Sequence, residues 1–315
     1  MDVGTGEHIL FLKGGAIGDF ILTLPVLAAL RRHFPRARLE LFGRARTAPL
    51  ALMAGLADGW QDLEGQDAAV LFVPGSEVAI PLRECLERCM LILCHVPDPE
   101  GVLRANLSRL SPARILSGPF RPDETVPRHA AAQFLDSLQA LGVADCDPVP
   151  HLNGAGAYQR AKSRERVTLA MHPGSGGERK NWPEARWAEL LSRLSRETDW
   201  NFLLIGGEAE GGRAARLAKL LPLERVVIAE QLPLQELAGR LQACHFFFGH
   251  DSGITHLAAT LDLPGLALWG ETNATVWRPL GGRMEILREP AGLSALAVEK
   301  VFHELRARVH FAPMA

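Results

Sequence analysis

A chain of 315 residues that is 47% hydrophobic is long enough for two domains of ordinary size and apolar enough for real cores. Its formal net charge of −2 at pH 7, with arginines spread along the chain, excludes a global field for nucleic acid, so no nucleic-acid partner is expected. No apolar run reaches the ~20 residues that span a bilayer, and no basic start leads into an apolar h-region. Neither a membrane span nor a signal peptide is therefore expected, and the chain reads as cytoplasmic, with contact at a membrane surface left open. The cysteines, at 85, 89, 94, 146 and 244, form no paired CxxC framework. A metal site among the first three would need a fourth donor, for which His95 is the nearby candidate; buried free thiols in a reducing compartment are the simpler reading.

In chain order, His8 to Lys13 (HILFLK) reads as a buried strand, followed by the Gly-rich turn GGAIGDF with Asp19. ILTLPVLAALRRHF has helical spacing, with Pro25 forcing a late start or a kink and Thr23 available as a cap. Arg38 to Phe42 reads as a strand, Arg44 to Leu56 as a helix, Ala68 to Val73 as a third strand, Glu77 to Arg88 as a helix, Met90 to His95 and Ala113 to Ser117 as strands. GPFRPDETVPRH is a loop, and His129 to Leu141 a helix ended by Gly142. Asp145 to Gln159 (DCDPVPHLNGAGAYQ) has the aperiodic Pro/Gly content of a linker and marks the domain boundary.

A second alternation begins at Arg166. VTLAMHPGSGG is strand then Gly-rich turn, and Glu184 to Glu197 an amphipathic helix. Asn201 to Gly206 is a strand, Arg213 to Leu221 a helix, Arg225 to Ala229 a strand and Leu234 to Cys244 a helix. FFFGHDSGITHLAATL (246–261) is strand, tight turn and helix, capped by Asp251 or Ser252. Gly265 to Trp269 is a strand, and Leu293 to Arg306 the last helix. This alternation predicts an α/β fold with parallel sheets covered by helices on both faces. Ligands of such sheets bind at the carboxyl ends of strands, where the turns at Gly14, Gly174, Gly207 and Asp251 fall.

The chemistry of those turns is complementary. Asp19 is either a helix-start cap or, in a partly desolvated cleft, a general base for a hydroxyl attacking a sugar carbon. In HPGSGGERKNWPEARW, Gly174, Ser175, Gly176 and Gly177 expose backbone N–H groups as phosphate-cradling turns do, and Arg179 and Lys180 add positive charge; a solvated basic loop is the bland alternative. Glu208 could accept hydrogen bonds from ribose hydroxyls or favour its own helix start. The helix start at Ser252-Gly253 is an anion site by dipole and free N–H groups. His172 reads as a locally bonded histidine. His250 and His256 lack a third ligand, and Asp145-Cys146-Asp147, a literal DxD, lies in the linker, so no metal is expected. GxGxxG is missing, which argues against a dehydrogenase.

GDFILTLPVLAALRRHFP, HPGSGGERKNWPEARWAEL, FLLIGGEAE and FGHDSGITHLAATLDLPGLALWG, in that order, resemble the heptosyltransferase family of lipopolysaccharide core synthesis, glycosyltransferase family 9 with the GT-B fold. The resemblance implies two Rossmann-like domains facing across a cleft: residues 1–155 for the acceptor and 156–315 for the nucleotide sugar, the last helix able to pack back on the first domain. It implies an inverting, metal-independent transfer, without a cofactor, of a sugar from an ADP-sugar such as ADP-heptose. The acceptor would be a lipopolysaccharide-core or related glycan, lipid-linked at the inner membrane surface. It makes Asp19 the base and Lys180 a ligand of the donor phosphates. Ser175, Asp251, Ser252 and Gly253 become donor contacts, and Glu208 a nucleoside contact. Further donor or acceptor contacts fall to Gly14, Gly15, Gly18, Gly174, His256 and Thr272. Glu271, after Trp269-Gly270, departs from the family pattern of a small residue or proline and weakens the case for ADP-heptose. A transferase or epimerase for another nucleotide sugar, and a non-catalytic nucleotide-binding homologue, are the alternatives.

Overall fold

The computed structural model describes residues 8–152, 166–207, 211–281 and 283–311. The chain divides into two compact units, Met1–Gly154 and Ala155–Ala315.

In the first unit, β1 (His8–Lys13) is buried along its whole length, as a parallel strand covered on both faces must be. β2 (Arg38–Gly43), β3 (Gly59–Asp62), β4 (Cys89–His95) and β5 (Arg114–Ser117) complete a sheet of order β3-β2-β1-β4-β5, parallel throughout. The winding reverses between β1 and β4, which places the turn after β1 at a switch point. That turn enters a short helix, Ile17–Ile21, and then the helix Leu24–His33, which starts late because of Pro25. Thr23 sits at the cap position, but its hydroxyl donates to Phe20 O at 2.7 Å rather than capping the second helix.

Two expectations for this unit need correction, and one helix is added to them. Ala68 to Val73 is not a strand: it is covered by a helix, Gln66–Ala69, and a 3-10 turn, Val70–Phe72, of which only Ala68 and Leu71 are fully buried. The edge strand is Gly59–Asp62, whose sequence GWQD is too short and polar to signal itself. The helix Val102–Leu110 was unread, although Leu103, Asn106, Leu107 and Leu110 are buried at helical spacing. His129 to Leu141 begins as an α-helix, Ala130–Leu135, and tightens to 3-10 over Asp136–Leu141.

In the second unit, β6 (Thr168–His172), β7 (Asn201–Gly206), β8 (Val226–Glu230), β9 (Phe246–His250), β10 (Gly265–Leu268) and β11 (Met284–Leu287) form a parallel sheet of order β11-β10-β9-β6-β7-β8. β11 was missed in the sequence. The switch point lies between β6 and β9, so the turns HPGSGG and HDSG adjoin it from neighbouring strands. Phe246 and Phe248 join Leu169, Met171, Trp182, Trp187 and Leu190 in one core on one face of the sheet, while Phe247, of opposite parity, is fully buried as well. The last helix, Val298–Phe311, follows a 3-10 turn at Leu293–Ala295. Its Val301, Phe302, Leu305 and Val309 enter the same core beside Leu191 and Leu194 of the helix Glu184–Glu197, so its apolar side is used within the second unit.

Trp187 is fully buried and meets Trp182, Phe248 and His250 with ring-centroid separations of 5.8, 4.8 and 5.3 Å. Trp187→Ala should destabilise the second unit by about 3–5 kcal/mol. Denaturant unfolding followed by circular dichroism checks this; a loss below about 1 kcal/mol would place the core elsewhere.

Candidate functional site

In the second unit the site is built where β6 and β9 end. Asp251 follows β9 and is mostly buried, with its side chain 8% exposed, whereas that of Lys180 is 46% exposed. Asp251 Oδ2 accepts from Lys180 Nζ at 2.7 Å and from the Thr272 hydroxyl at 2.6 Å. Three turns, after β6, β9 and β10, therefore meet on one carboxylate oxygen. The Thr272 carbonyl in turn accepts from Trp269 Nε1 at 2.8 Å and from Arg288 Nη2 at 2.7 Å. Asn273 caps the next helix, Ala274–Trp277, by accepting from Thr275 N. A half-exposed ion pair of this kind adds at most about 1 kcal/mol to stability; its effect is to fix where the ammonium sits.

Ser252 caps the helix Gly253–Thr260, its hydroxyl accepting from Thr255 N at 3.4 Å. The same hydroxyl is 3.2 Å from His172 Nδ1, which ties the end of β6 to the helix start. The amides of Gly253 and Ile254, in the first turn, have no partner within the helix and carry its positive end. In the turn after β6, Ser175 is 4% exposed and its hydroxyl donates to Gly177 O at 2.8 Å, so it shapes the turn from inside. Gly176 and Gly177 have open space where a side chain would stand, leaving their backbone approachable.

His250, the last residue of β9, is the brace between these turns. Its Nε2 accepts from Trp182 N at 2.8 Å, and its Nδ1, 3.3 Å from Gly174 O, carries the proton that the carbonyl accepts. Thr255 donates its hydroxyl to His250 O. Burial pushes the His250 pKa down to about 3, assisted by neighbouring His172; burial, with Arg213 nearby, takes His172 down to about 4. Both imidazoles are neutral hydrogen-bonding parts. Arg213, 8% exposed, donates to Pro173 O at 3.1 Å and pairs with Glu178 and Glu184 at 3.1 and 3.2 Å, clamping the far side of the same turn.

In the first unit, Asp19 lies on the first turn of Ile17–Ile21, and its Oδ2 accepts from Ala16 N at 3.1 Å. This bond is the cap function foreseen for it, and it leaves Oδ1 for other work. Gly15 has φ +106°, and a side chain there would meet the Asp19 Cβ at 3.2 Å and Oδ2 at 3.3 Å, so glycine is required by both conformation and space. A side chain at Gly14 would meet Leu63 and Phe120 only at ordinary distances, so this position does not demand glycine for space. Gly18 is within the helix. The residue before this turn, Lys13, is fully buried at the end of β1. Its ammonium donates to Phe120 O at 2.9 Å and sits 4.4 Å from the centroid of the Phe134 ring. Burial lowers its pKa to about 8, with the Asp19 carboxylate acting in the opposite direction.

Of the residues singled out in the sequence, Lys180, Asp251 and Thr272 are brought into direct contact, with Ser252 and Gly253 adjoining them in the chain. Gly174 contributes its carbonyl to His250. His256 is 5% exposed within its helix. Glu208 lies outside the described residues. His250, Arg213 and Lys13 were not assigned these roles. Lys13 had a legible signal, a charge closing an otherwise apolar strand; His250 and Arg213 had none, because their partners in the neighbouring turns lie 29 to 76 residues away.

Comparisons with known proteins give the family and the fold. The family described as Glycosyltransferase family 9 (heptosyltransferase) matches residues 138–302. Lipopolysaccharide heptosyltransferase 1 of Pseudomonas aeruginosa is 42% identical over 298 residues, covering 84% of this chain and 79% of that protein. Among solved structures, Escherichia coli heptosyltransferase WaaC with ADP superposes with a TM-score of 0.76 at 18% identity, covering 95% of this chain and 99% of that one. Escherichia coli ADP-heptose lps heptosyltransferase II does so with 0.77 at 18% identity, covering 96% and 98%. Both likenesses are of fold, and the fold is GT-B.

The neutral histidines set an acid limit on the second unit. Unfolded imidazoles take up protons below about pH 6.5, while His172 and His250 in the fold stay neutral down to about 4 and 3. The unfolded state binds more protons in that window, so stability is present above pH 6.5 and falls as pH drops. We expect a loss of up to about 1.4 kcal/mol per pH unit for each imidazole between pH 6.5 and 4.5, above the range of ordinary carboxylates. Urea midpoints read by tryptophan fluorescence, which reports mainly the second unit, test this; a flat profile over that range would contradict it.

Proposed function

The chain belongs to glycosyltransferase family 9 (heptosyltransferase), and on that premise we propose that it transfers a heptosyl group from an ADP-sugar to a glycan acceptor of lipopolysaccharide core, with inversion and without a metal. The observation that carries this reading is the Lys180–Asp251–Thr272 contact at the switch point of the second unit. The ammonium held there, the amides of the Gly176–Gly177 turn and the start of the helix Gly253–Thr260 offer a cation and several N–H donors to a diphosphate. Support for ADP comes from the solved relative that carries it, and support for the acceptor class from the relative named for lipopolysaccharide.

In this reading the donor diphosphate rests on the second unit and the acceptor on the first. Asp19 accepts the proton of the acceptor hydroxyl as that oxygen attacks the anomeric carbon. The bond from that carbon to the β-phosphate oxygen breaks on the opposite face, which inverts the centre. Charge gathers on the leaving ADP, where Lys180 and the helix-start amides stabilise it more than in the ground state. The Ala16 N–H bond to one Asp19 oxygen orients the carboxylate, and the other oxygen meets the hydroxyl. Ser175 and Asp251 act by shaping the turn and aiming Lys180. Among the described residues no helix is long and apolar enough to cross a membrane; a lipid-linked acceptor would be met at the inner membrane surface, by a cytoplasmic enzyme.

Asp19→Ala should lower transfer from ADP-heptose by about 10²- to 10⁴-fold, the usual worth of a general base. ADP affinity measured by calorimetry should stay unchanged in that variant. Near-normal turnover would remove Asp19 from its role, and a parallel loss of ADP binding would move it to the donor side.

A further inference from the structure

The amino ends of the first unit's strands, at the other end of the sheet from Asp19, gather a separate set of reactive side chains. His8 opens β1 and pairs in register with Cys89, which opens β4. Cys85 lies one helical turn before Cys89, on the helix Ile80–Arg88. A donor atom from each of the three lies within 4.8 Å of the other two. Glu40 reaches in from β2: its Oε2 is 3.7 Å from His8 Nε2 and 3.3 Å from Cys85 Sγ. Its other oxygen, Oε1, accepts from Arg38 Nε at 2.9 Å and Nη2 at 2.8 Å. His95, the candidate fourth donor for a set with Cys85, Cys89 and Cys94, packs against Phe11 and bonds Ser137 at 3.0 Å. The sheet register supplies His8 and Glu40 instead.

Two observations separate this cluster from ordinary buried thiols. His8 Nε2 is buried and makes no hydrogen bond of ordinary length, the Glu40 carboxylate standing off at 3.7 Å. A buried nitrogen without a hydrogen bond needs an explanation, and an ion bound there is one. Glu40, moreover, is held like a ligand with a partner behind it: Arg38 fixes one oxygen and points the other at the imidazole and the thiol.

We propose that His8, Cys85, Cys89 and Glu40 bind one Zn²⁺ that ties β1, β2, β4 and the helix Ile80–Arg88 together. Two sulfurs, an imidazole and a carboxylate suit zinc in number and in softness. Binding converts both thiols to thiolates and releases two protons, with His8 neutral and coordinating through Nε2. The resulting site carries one net negative charge, faced by Arg38. Tetrahedral bonds to zinc place ligand atoms about 3.3–3.8 Å apart, so the separations among His8, Cys85 and Cys89, which reach at most 4.8 Å, close by about 1 Å through side-chain rotation, and Glu40 turns its Oε2 toward the same ion. The site is structural and independent of the transfer reaction.

The test uses the full chain, purified without chelators from zinc-supplemented culture, and elemental analysis by plasma mass spectrometry. The proposal predicts roughly one zinc per chain and, after exchange for Co²⁺, a thiolate-to-cobalt charge-transfer band with intense visible bands of a tetrahedral site. Cys85→Ser and Cys89→Ser should each lower bound zinc at least about tenfold, while Cys146→Ser leaves it unchanged. Zinc below about a tenth per chain with all thiols titrating as reduced overturns the proposal, as does a Cys85–Cys89 disulfide, or zinc retained in both serine variants. If the variants fail to fold, the wild-type cobalt spectrum decides, and a missing charge-transfer band overturns it.

Discussion

The second unit depends on a carboxylate that is neutralised before any ligand arrives. Asp251 is almost out of solvent beside the helix start that offers its positive end to an anion. Alone, it would repel a diphosphate through a medium less polar than water. With Lys180 at 2.7 Å and Thr272 at 2.6 Å on the same oxygen, the carboxylate becomes a mount that aims a cation outward. The pair lends the fold little energy. What it supplies is position: an ammonium held at Asp251, the residue before the helix cap Ser252.

Holding that mount still requires parts that carry no charge of their own. His172 and His250 end adjacent strands, and burial keeps both rings neutral. One bonds Ser252 across the switch point; the other bonds Trp182 N and Gly174 O on either side of the Lys180 turn. Charged imidazoles here would compete with Lys180 for Asp251 and would be costly to bury. The histidine signature in the sequence is thus explained by architecture.

Much of this was legible in the sequence for a physical reason. Parallel strands buried on both faces are runs of apolar residues, so HILFLK and FFFGH announced themselves, and the glycine-rich turns marked their carboxyl ends. The capping of Gly253–Thr260 by Ser252 followed from local chemistry alone. Edge strands failed, because GWQD and MEIL are short and only partly buried, and AAVLFV drew the strand assignment to itself while most of it folds as helical turns. Side-chain bonds between distant turns, such as Trp182 N to His250, leave no trace in local spacing. The cluster of His8, Glu40, Cys85 and Cys89 was hidden for the same reason: only sheet register joins positions 8, 40 and 89.

The central claim is that Asp251 serves the donor site only through Lys180. A double-mutant cycle on ADP binding, measured by calorimetry, tests it most directly. Lys180→Ala should weaken binding about 10- to 100-fold, the worth of a charge-assisted bond plus a bare carboxylate left beside the phosphates. Removing Asp251 as well, in the double alanine variant, should then restore part of the affinity. Costs of the two single changes that simply add, to within about 0.5 kcal/mol, would contradict the account.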